Sequence, residues 1–159
     1  MAYKLISVER DEDNDRIVVV TLKRPEVKNA INKAMVAELH DAFDKLREDN
    51  DVGCVILTGE GDDFAAGADI GELRERKALE SLAAINNALF NKIELNPAPV
   101  IAAINGYALG GGTDLILCAD LIFMAEDAII GYPPSRVYGT PTTMMWVYRL
   151  GLEHAKQFL

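Results

Sequence analysis

Apolar positions along the chain change period several times, and each change marks an element. Leu5 to Arg10 alternates imperfectly, Asp11 to Asp15 is a charged turn, and Ile17 to Leu22 is β-branched and apolar, a pattern that predicts a hairpin. Arg24-Pro25 breaks the second strand. Ile31, Met35, Leu39, Phe43 and Leu46 then recur at steps of four and three, which predicts an amphipathic helix with Asn32 as its N-cap. Val52 to Thr58 is a nearly continuous apolar run closed by Gly59-Glu60-Gly61, as expected of a strand buried on both faces. Beyond Gly67-Ala68-Asp69-Ile70 and the charged stretch Glu72 to Lys77, a second stripe at Leu82, Ile85, Leu89 and Ile93 predicts another helix, ended by Pro97 and Pro99. Val100 to Ile104 reads as a buried strand, Gly106 to Gly112 as a glycine-rich loop, Thr113 to Cys118 as a helix and Leu121 to Ala125 as a further strand. A Pro- and Gly-bearing stretch from Gly131 to Thr143 leads into a final helix that reaches Leu159 without a cap, which reads as a cut rather than a natural terminus. Strands alternating with helices imply an α/β fold with largely parallel pairing.

Length and composition narrow the function classes. The 159 residues fit one domain, and 50% apolar with 26% charged residues is the balance of a soluble globular chain. A net charge of -9 repels polyanions, so nucleic acid is not an expected partner. No apolar run approaches the ~20 residues of a membrane span, so no membrane partner is expected. The opening MAYKLISVERDEDND suits neither a secretory signal nor a transit peptide, which makes a cytoplasmic location the expectation. Cys54 and Cys118 form no CxxC pair and lie near no His at ligand spacing, and His40 and His154 have no triad or metal partners; no metal is expected, and both thiols read as buried and reduced.

The densest glycine cluster is Asn105-Gly-Tyr-Ala-Leu-Gly-Gly-Gly-Thr-Asp114. Gly106 to Thr113 has the spacing of a P-loop, but Gly112 stands where the phosphate-binding lysine belongs. A dinucleotide fingerprint fails as well, with Leu115 in place of the third glycine, and the chain has no G-x-S-x-G elbow. What remains is a loop between a buried strand and a helix, where peptide N–H groups near Gly111 suit a developing oxyanion. A second donor segment is offered by Gly61 to Ile70, in which small residues Ala65 to Ala68 follow a strand. The plain alternative is that these glycines only shape turns.

Three segments carry a resemblance. RPEVKNAI (Arg24 to Ile31), GEGDDFAAGADI (Gly59 to Ile70) and AAINGYALGGGTDL (Ala102 to Leu115) resemble, in order and spacing, the signature blocks of the enoyl-CoA hydratase/isomerase, or crotonase, family. The resemblance implies a spiral of repeated strand-strand-helix units with two roughly perpendicular sheets. It further implies that residues 1–159 are a catalytic core without the C-terminal helical segment through which family members build trimers and hexamers. By the same likeness the peptide N–H groups of Ala68 and Gly111 form an oxyanion hole for an acyl-CoA thioester. Coenzyme A then enters as part of the substrate, with no permanently bound cofactor. Its pantetheine arm is expected between the Lys28 to Ala30 segment and the Ala66 to Ile70 loop. Lys28 is the candidate for its phosphates, Asp69 reads first as a helix cap, and backbone beside Asp69 and Ile70 is the candidate for the adenine. Gly110, beside Gly111, and Pro134 are further candidates for contact with the acyl-CoA.

Proton transfer is where the likeness thins. Hydratases of this family use two glutamates; Asp114 stands at the first position and Pro134 at the second, and proline carries no proton. Asp114 is thus the candidate proton carrier. Tyr132 and Tyr138 flank the Pro134 position and could orient substrate, or simply pack. Met144-Met145-Trp146-Val147 replaces the small, glycine-rich stretch of family hydratases, pointing either to an altered acyl pocket or to core packing. The leading expectation is an enoyl-CoA hydratase-like lyase or isomerase acting through an enolate. A CoA-thioester or carbon-carbon bond hydrolase using the same hole, and a non-catalytic acyl-CoA-binding protein, are the alternatives.

Overall fold

The computed structural model describes residues 3–72, 86–137 and 139–159. The hairpin forms as the alternation requires. β1 (Ile6–Arg10) and β2 (Ile17–Leu22) pair antiparallel, Ile6 opposite Leu22, and even-numbered positions of β2 point into the core. β3 (Cys54–Gly59), β4 (Val100–Ile104) and β6 (Leu121–Met124) then add in parallel, giving the order β1-β2-β3-β4-β6. The expected parallel α/β architecture is present, with one antiparallel edge. Cys54 is half-buried rather than fully buried, because β3 buries only alternate residues completely.

Between β2 and β3 runs α1 (Lys33–Glu48), whose Met35, Val36, Leu39, Phe43 and Leu46 lie against the sheet. Asn32 caps it, accepting a hydrogen bond from Met35 N at 2.8 Å. Ile31, which continues the apolar stripe, lies before the cap and is buried as a β-bridge partner of Ala68. The second predicted helix, α2, is described over 86–94; Leu89 and Ile93 are buried in the core, while Leu82 and Ile85 lie outside the described residues.

The glycine-rich segment differs from the loop that its composition suggests. It contains a strand, β5 (Tyr107–Leu109), which pairs in parallel with β7 (Ile129–Gly131) to form a second sheet. α3 follows at Gly111–Leu117, two residues earlier than the apolar pattern marks, since Gly111 and Gly112 enter the helix. The last helix, α4 (Met145–Phe158), is interrupted at Gly151, whose φ of 74° is not helical.

Two isolated bridges extend the small sheet. Ala65 pairs with Ala108 and Ala68 with Ile31, both in parallel. Ala65 N donates to Tyr107 O and Leu109 N to Ala65 O; Ala66 N donates to Lys28 O, Ile31 N to Gly67 O and Asp69 N to Ile31 O. Residues 28–31, 65–68 and 107–109 therefore run side by side. Each leaves the C-terminal end of one strand of the large sheet, so parallel pairing of β2, β3 and β4 delivers all three to the same side of the molecule.

Candidate active site

Several buried polar groups hold these segments together. Asn29 is fully buried at a φ of 53°, a left-handed conformation that Asn tolerates better than most residues. Its side chain accepts from Arg24 N at 2.8 Å and donates to Glu60 O at 3.0 Å and Asp63 O at 2.7 Å, tying the first segment to the second. Arg24 adds a second tie, through Ala30 O at 2.6 Å and the Asp69 carboxylate at 3.0 Å. Asn105 Nδ2 donates to Gly59 O and Gly61 O, joining the second segment to the third. None of these residues stands out by pattern: the one visible signal is an asparagine inside the first and third segments, Asn29 and Asn105, a residue type that bonds local backbone.

The meeting point of the second and third segments is the close approach of Gly67 to Gly111. Gly67 has a φ of 100°, and a Cβ there would lie 2.8 Å from Leu109 O and 3.6 Å from Gly111 N. Only glycine permits this conformation and approach. A Cβ on Gly111 would lie 3.8 Å from Ala68 N. Neither Ala68 N nor Gly111 N donates to an acceptor among the described residues, because the bridge to Ile31 uses Gly67 O and Asp69 N, and Gly111 opens its helix. The peptide N–H groups of Ala68 and Gly111 thus lie close to one another, neither with an acceptor among the described residues. Gly110 donates its own N–H to Gly131 O, while its α-carbon faces Pro134, whose Cγ would be 3.5 Å from a Cβ at that position. Thr113, fully buried, fixes the turn with its hydroxyl 2.5 Å from Ala108 O and 2.8 Å from Gly131 O.

One turn beyond Gly111, Asp114 is 1% exposed. Its Oδ1 accepts from Trp146 Nε1 at 2.6 Å, and its Oδ2 from Thr142 Oγ1 at 2.7 Å and Thr142 N at 3.2 Å. Burial raises the carboxyl above its ordinary range, and the hydrogen bonds from Trp146 and Thr142 oppose that rise. Asp114 therefore stands one turn beyond Gly111, as the centre of a hydrogen-bonded cluster. Trp146 supplies both indole nitrogen and buried ring, and packs edge-on against Tyr132 with ring centroids 5.6 Å apart.

Of the two readings of Tyr132, orienting substrate or packing, the structure favours packing. Its hydroxyl donates to Thr140 O at 2.6 Å and its ring is buried on Trp146, so it serves packing and offers no free donor to a substrate. Tyr138 lies outside the described residues. Pro134 packs on Gly110 and Gly139 in the turn Pro133–Val137.

The remaining candidates line the outer end. Lys28 is largely exposed, its Nζ 3.2 Å from Asp63 Oδ2 and 4.8 Å from the centre of the Tyr107 ring. Asp69 caps a short helical turn, Ile70–Glu72, by accepting from Gly71 N at 3.0 Å, as the cap reading expects. Ile70 is 81% exposed, Ala30 carries the carbonyl held by Arg24, and Ala66 is half-buried. Among the described residues no group of three or more His, Cys, Asp or Glu side chains is gathered as metal ligands would be, and no helix is long and apolar enough to cross a membrane.

Comparison with known proteins identifies the family. Residues 12–159 match the enoyl-CoA hydratase/isomerase family model. A probable enoyl-CoA hydratase of Mycobacterium bovis is 39% identical over 133 residues, which cover 84% of this chain and 51% of that protein. The crotonyl-CoA hydratase of Syntrophomonas wolfei is 39% identical over 144 residues, covering 89% and 54%. The crystal structure of an enoyl-CoA hydratase from Bacillus anthracis superposes with a TM-score of 0.92 at 32% identity, over 98% of this chain and 62% of that one. The chain spans about half the length of the curated relatives it matches. With a family match across nearly its whole length and the two-sheet architecture of the solved relatives, this chain belongs to the enoyl-CoA hydratase/isomerase family and has the crotonase-like fold.

Proposed function

We propose that the chain is the oxyanion-hole-bearing core of an acyl-CoA lyase or isomerase, in which the peptide N–H groups of Ala68 and Gly111 polarise a thioester carbonyl. The observation that carries this reading is the convergence of those two donors, neither with an acceptor among the described residues, on segments locked by Asn29, Arg24, Asn105 and Thr113. Fixed donors need no reorganisation as charge develops on the oxygen; removing one such donor typically costs about 2.7–4 kcal/mol of transition-state stabilisation. Polarisation acidifies the α-carbon and makes the β-carbon of an enoyl group electrophilic.

Asp114 is the proton carrier in this reading. A carboxylate offers about four acceptor positions, and three are filled, leaving one on Oδ1. Its burial favours the protonated form and so makes it a stronger base than a solvated aspartate. With Pro134 unable to supply a second proton, one carboxylate takes and returns the proton, which suits double-bond migration or reversible deprotonation better than two-acid hydration. The acyl-CoA itself is placed by the segment around Lys28–Ala30 and the loop Ala66–Ile70, with Lys28 turning from Asp63 to the CoA phosphates and Gly110 and Pro134 closing one side of the hole.

Exchange of the α-hydrogens of a saturated acyl-CoA in deuterated water reports enolate formation regardless of the reaction that follows. The protein should catalyse that exchange, and Asp114→Asn should lower it at least 100-fold while leaving CoA binding intact. Exchange at the buffer rate in the wild-type chain refutes the reading; undiminished exchange in Asp114→Asn refutes the role of Asp114 alone. Release of free thiol in place of exchange would mark a hydrolase.

A further inference from the structure

Pro134 leaves this chain with one carboxylate where two-acid relatives would hold a pair, and the groups that surround that carboxylate come from a part of the sequence with no assigned role. We infer that Trp146 and Thr142 are positioning residues for Asp114: together they hold its carboxylate in one orientation and leave a single open acceptor position, on Oδ1, for the transferred proton. The inference rests on the proposed function, in which Asp114 moves that proton.

Three geometric facts support it. First, the donors come from two directions. Trp146 Nε1 reaches Oδ1 from α4 at 2.6 Å, whereas Thr142 holds Oδ2 twice, through its hydroxyl at 2.7 Å and its peptide N–H at 3.2 Å. A carboxylate held on both oxygens cannot rotate about its Cβ–Cγ bond without breaking at least one short hydrogen bond to an ionised acceptor. Second, the donors are themselves held. The Trp146 ring is 1% exposed and wedged between Tyr132, edge-on at 5.6 Å, and Phe158 at 6.3 Å; Tyr132 is anchored to Thr140 O, two residues before Thr142. Arg149, one turn along α4, donates from Nε to Leu117 O at 2.8 Å, from Nη1 to Asp120 O at 3.2 Å and from Nη2 to Ala119 O, which clamps α4 across the C-terminal end of α3. Third, Asp114 and Trp146 are each 1% exposed, so the bond between them acts at low dielectric.

The ionisable surroundings leave the clamp as the principal control of Asp114. Tyr132 and Cys118 are held neutral by burial, Cys118 also by Glu94. The Arg149 guanidinium is taken up by carbonyls, and no cationic side chain among the described residues donates to Asp114. Among the described residues, the donors that hold the ionised form are the neutral Trp146 and Thr142.

Trp146 is the sole tryptophan, so its indole N–H gives one resonance that reports directly on Asp114. In the wild-type protein that resonance should titrate with pH, and Asp114→Asn should abolish the titration. Thr142→Val removes the hydroxyl donor with little change of shape; it should raise the titration midpoint by about one pH unit. The acid limb of α-hydrogen exchange should move up with it, at unchanged KM for the acyl-CoA. Thr142→Ser keeps the hydroxyl and should restore both. A shifted indole titration with an unmoved acid limb would show that the cluster merely ties α4 to α3 and overturn the inference. An unshifted titration in Thr142→Val overturns it too. Undiminished exchange in Asp114→Asn is the separate signature of a failed proton-carrier reading, and removes the positioning role with it.

Discussion

Replacing Gly112 by alanine tests the geometry of the proposed hole without touching either donor. Gly112 lies in the first turn of α3 with ordinary helical geometry, and there alanine favours the helix by about 1 kcal/mol. What opposes the substitution is the second segment: the new methyl would lie 2.5 Å from Ala65 O and 3.0 Å from Ala65 Cβ. An ordinary contact begins near 3.4 Å, so the Ala65 backbone must retreat by about 0.9 Å. Ala65 is bonded to both Tyr107 and Leu109 and lies three residues before Ala68, so the retreat moves one proposed donor relative to the other. Oxyanion donors act within a window of about 2.7–3.1 Å, so a shift of this size forfeits most of one donor, about 10²–10³-fold in rate. The assay is α-hydrogen exchange and enoyl-CoA turnover, with CoA affinity and thermal unfolding measured in parallel. The expected result is a loss in kcat of that size in a folded protein that still binds CoA. A folded Gly112→Ala protein with kcat within about threefold of wild type would refute the claim that the Ala65–Gly112 approach sets the hole.

Two further outcomes follow from buried polar groups. Asn29→Ala leaves Arg24 N, Glu60 O and Asp63 O without their partner and places alanine at a φ of 53°, so unfolding in urea should show a loss of at least about 3 kcal/mol; a loss under 1 kcal/mol would mean that the segments are held by other contacts. Asp114 has a raised carboxyl in the folded state, so the native protein holds this proton more tightly than the unfolded chain does. Its contribution is present below the ordinary value of 3.8 and is lost as pH rises through the folded value. Thermal stability of the wild type relative to Asp114→Asn should therefore fall as pH is raised through that interval, and a difference independent of pH, or one that grows, would contradict the assigned burial effect.

Much of this architecture was legible in the chain. The hairpin, the Asn32 cap, the α1 stripe and the strands ending at Gly59 and Ile104 follow from period, β-branching and turn residues, all of which act between near neighbours. The family resemblance lay in three loop blocks, because loops at the ends of parallel strands must keep particular residues to approach one another. β5 was hidden inside a glycine cluster: a three-residue strand has no period of its own and exists because Ala65 and Ile129 pair with its two sides. Leu82 and Ile85, half of the second stripe, lie outside the described residues.

Tertiary structure alone decided the state of the candidate site. The sequence by itself determined that Asp114 would follow the glycine turn, that residue 134 would be a proline with no proton to offer, and that Ala68 and Gly111 would be small enough to approach. It could not determine that Trp146, 32 residues away, would donate to Asp114, or that Tyr132 would spend its hydroxyl on Thr140. The physical reason is range. Helix, strand and cap preferences are set by neighbours within a few residues and leave a mark in the pattern. A hydrogen bond between α3 and α4 is set by where the whole chain places two surfaces, and an indole that donates to a carboxylate is, in the sequence, indistinguishable from one that merely fills a core.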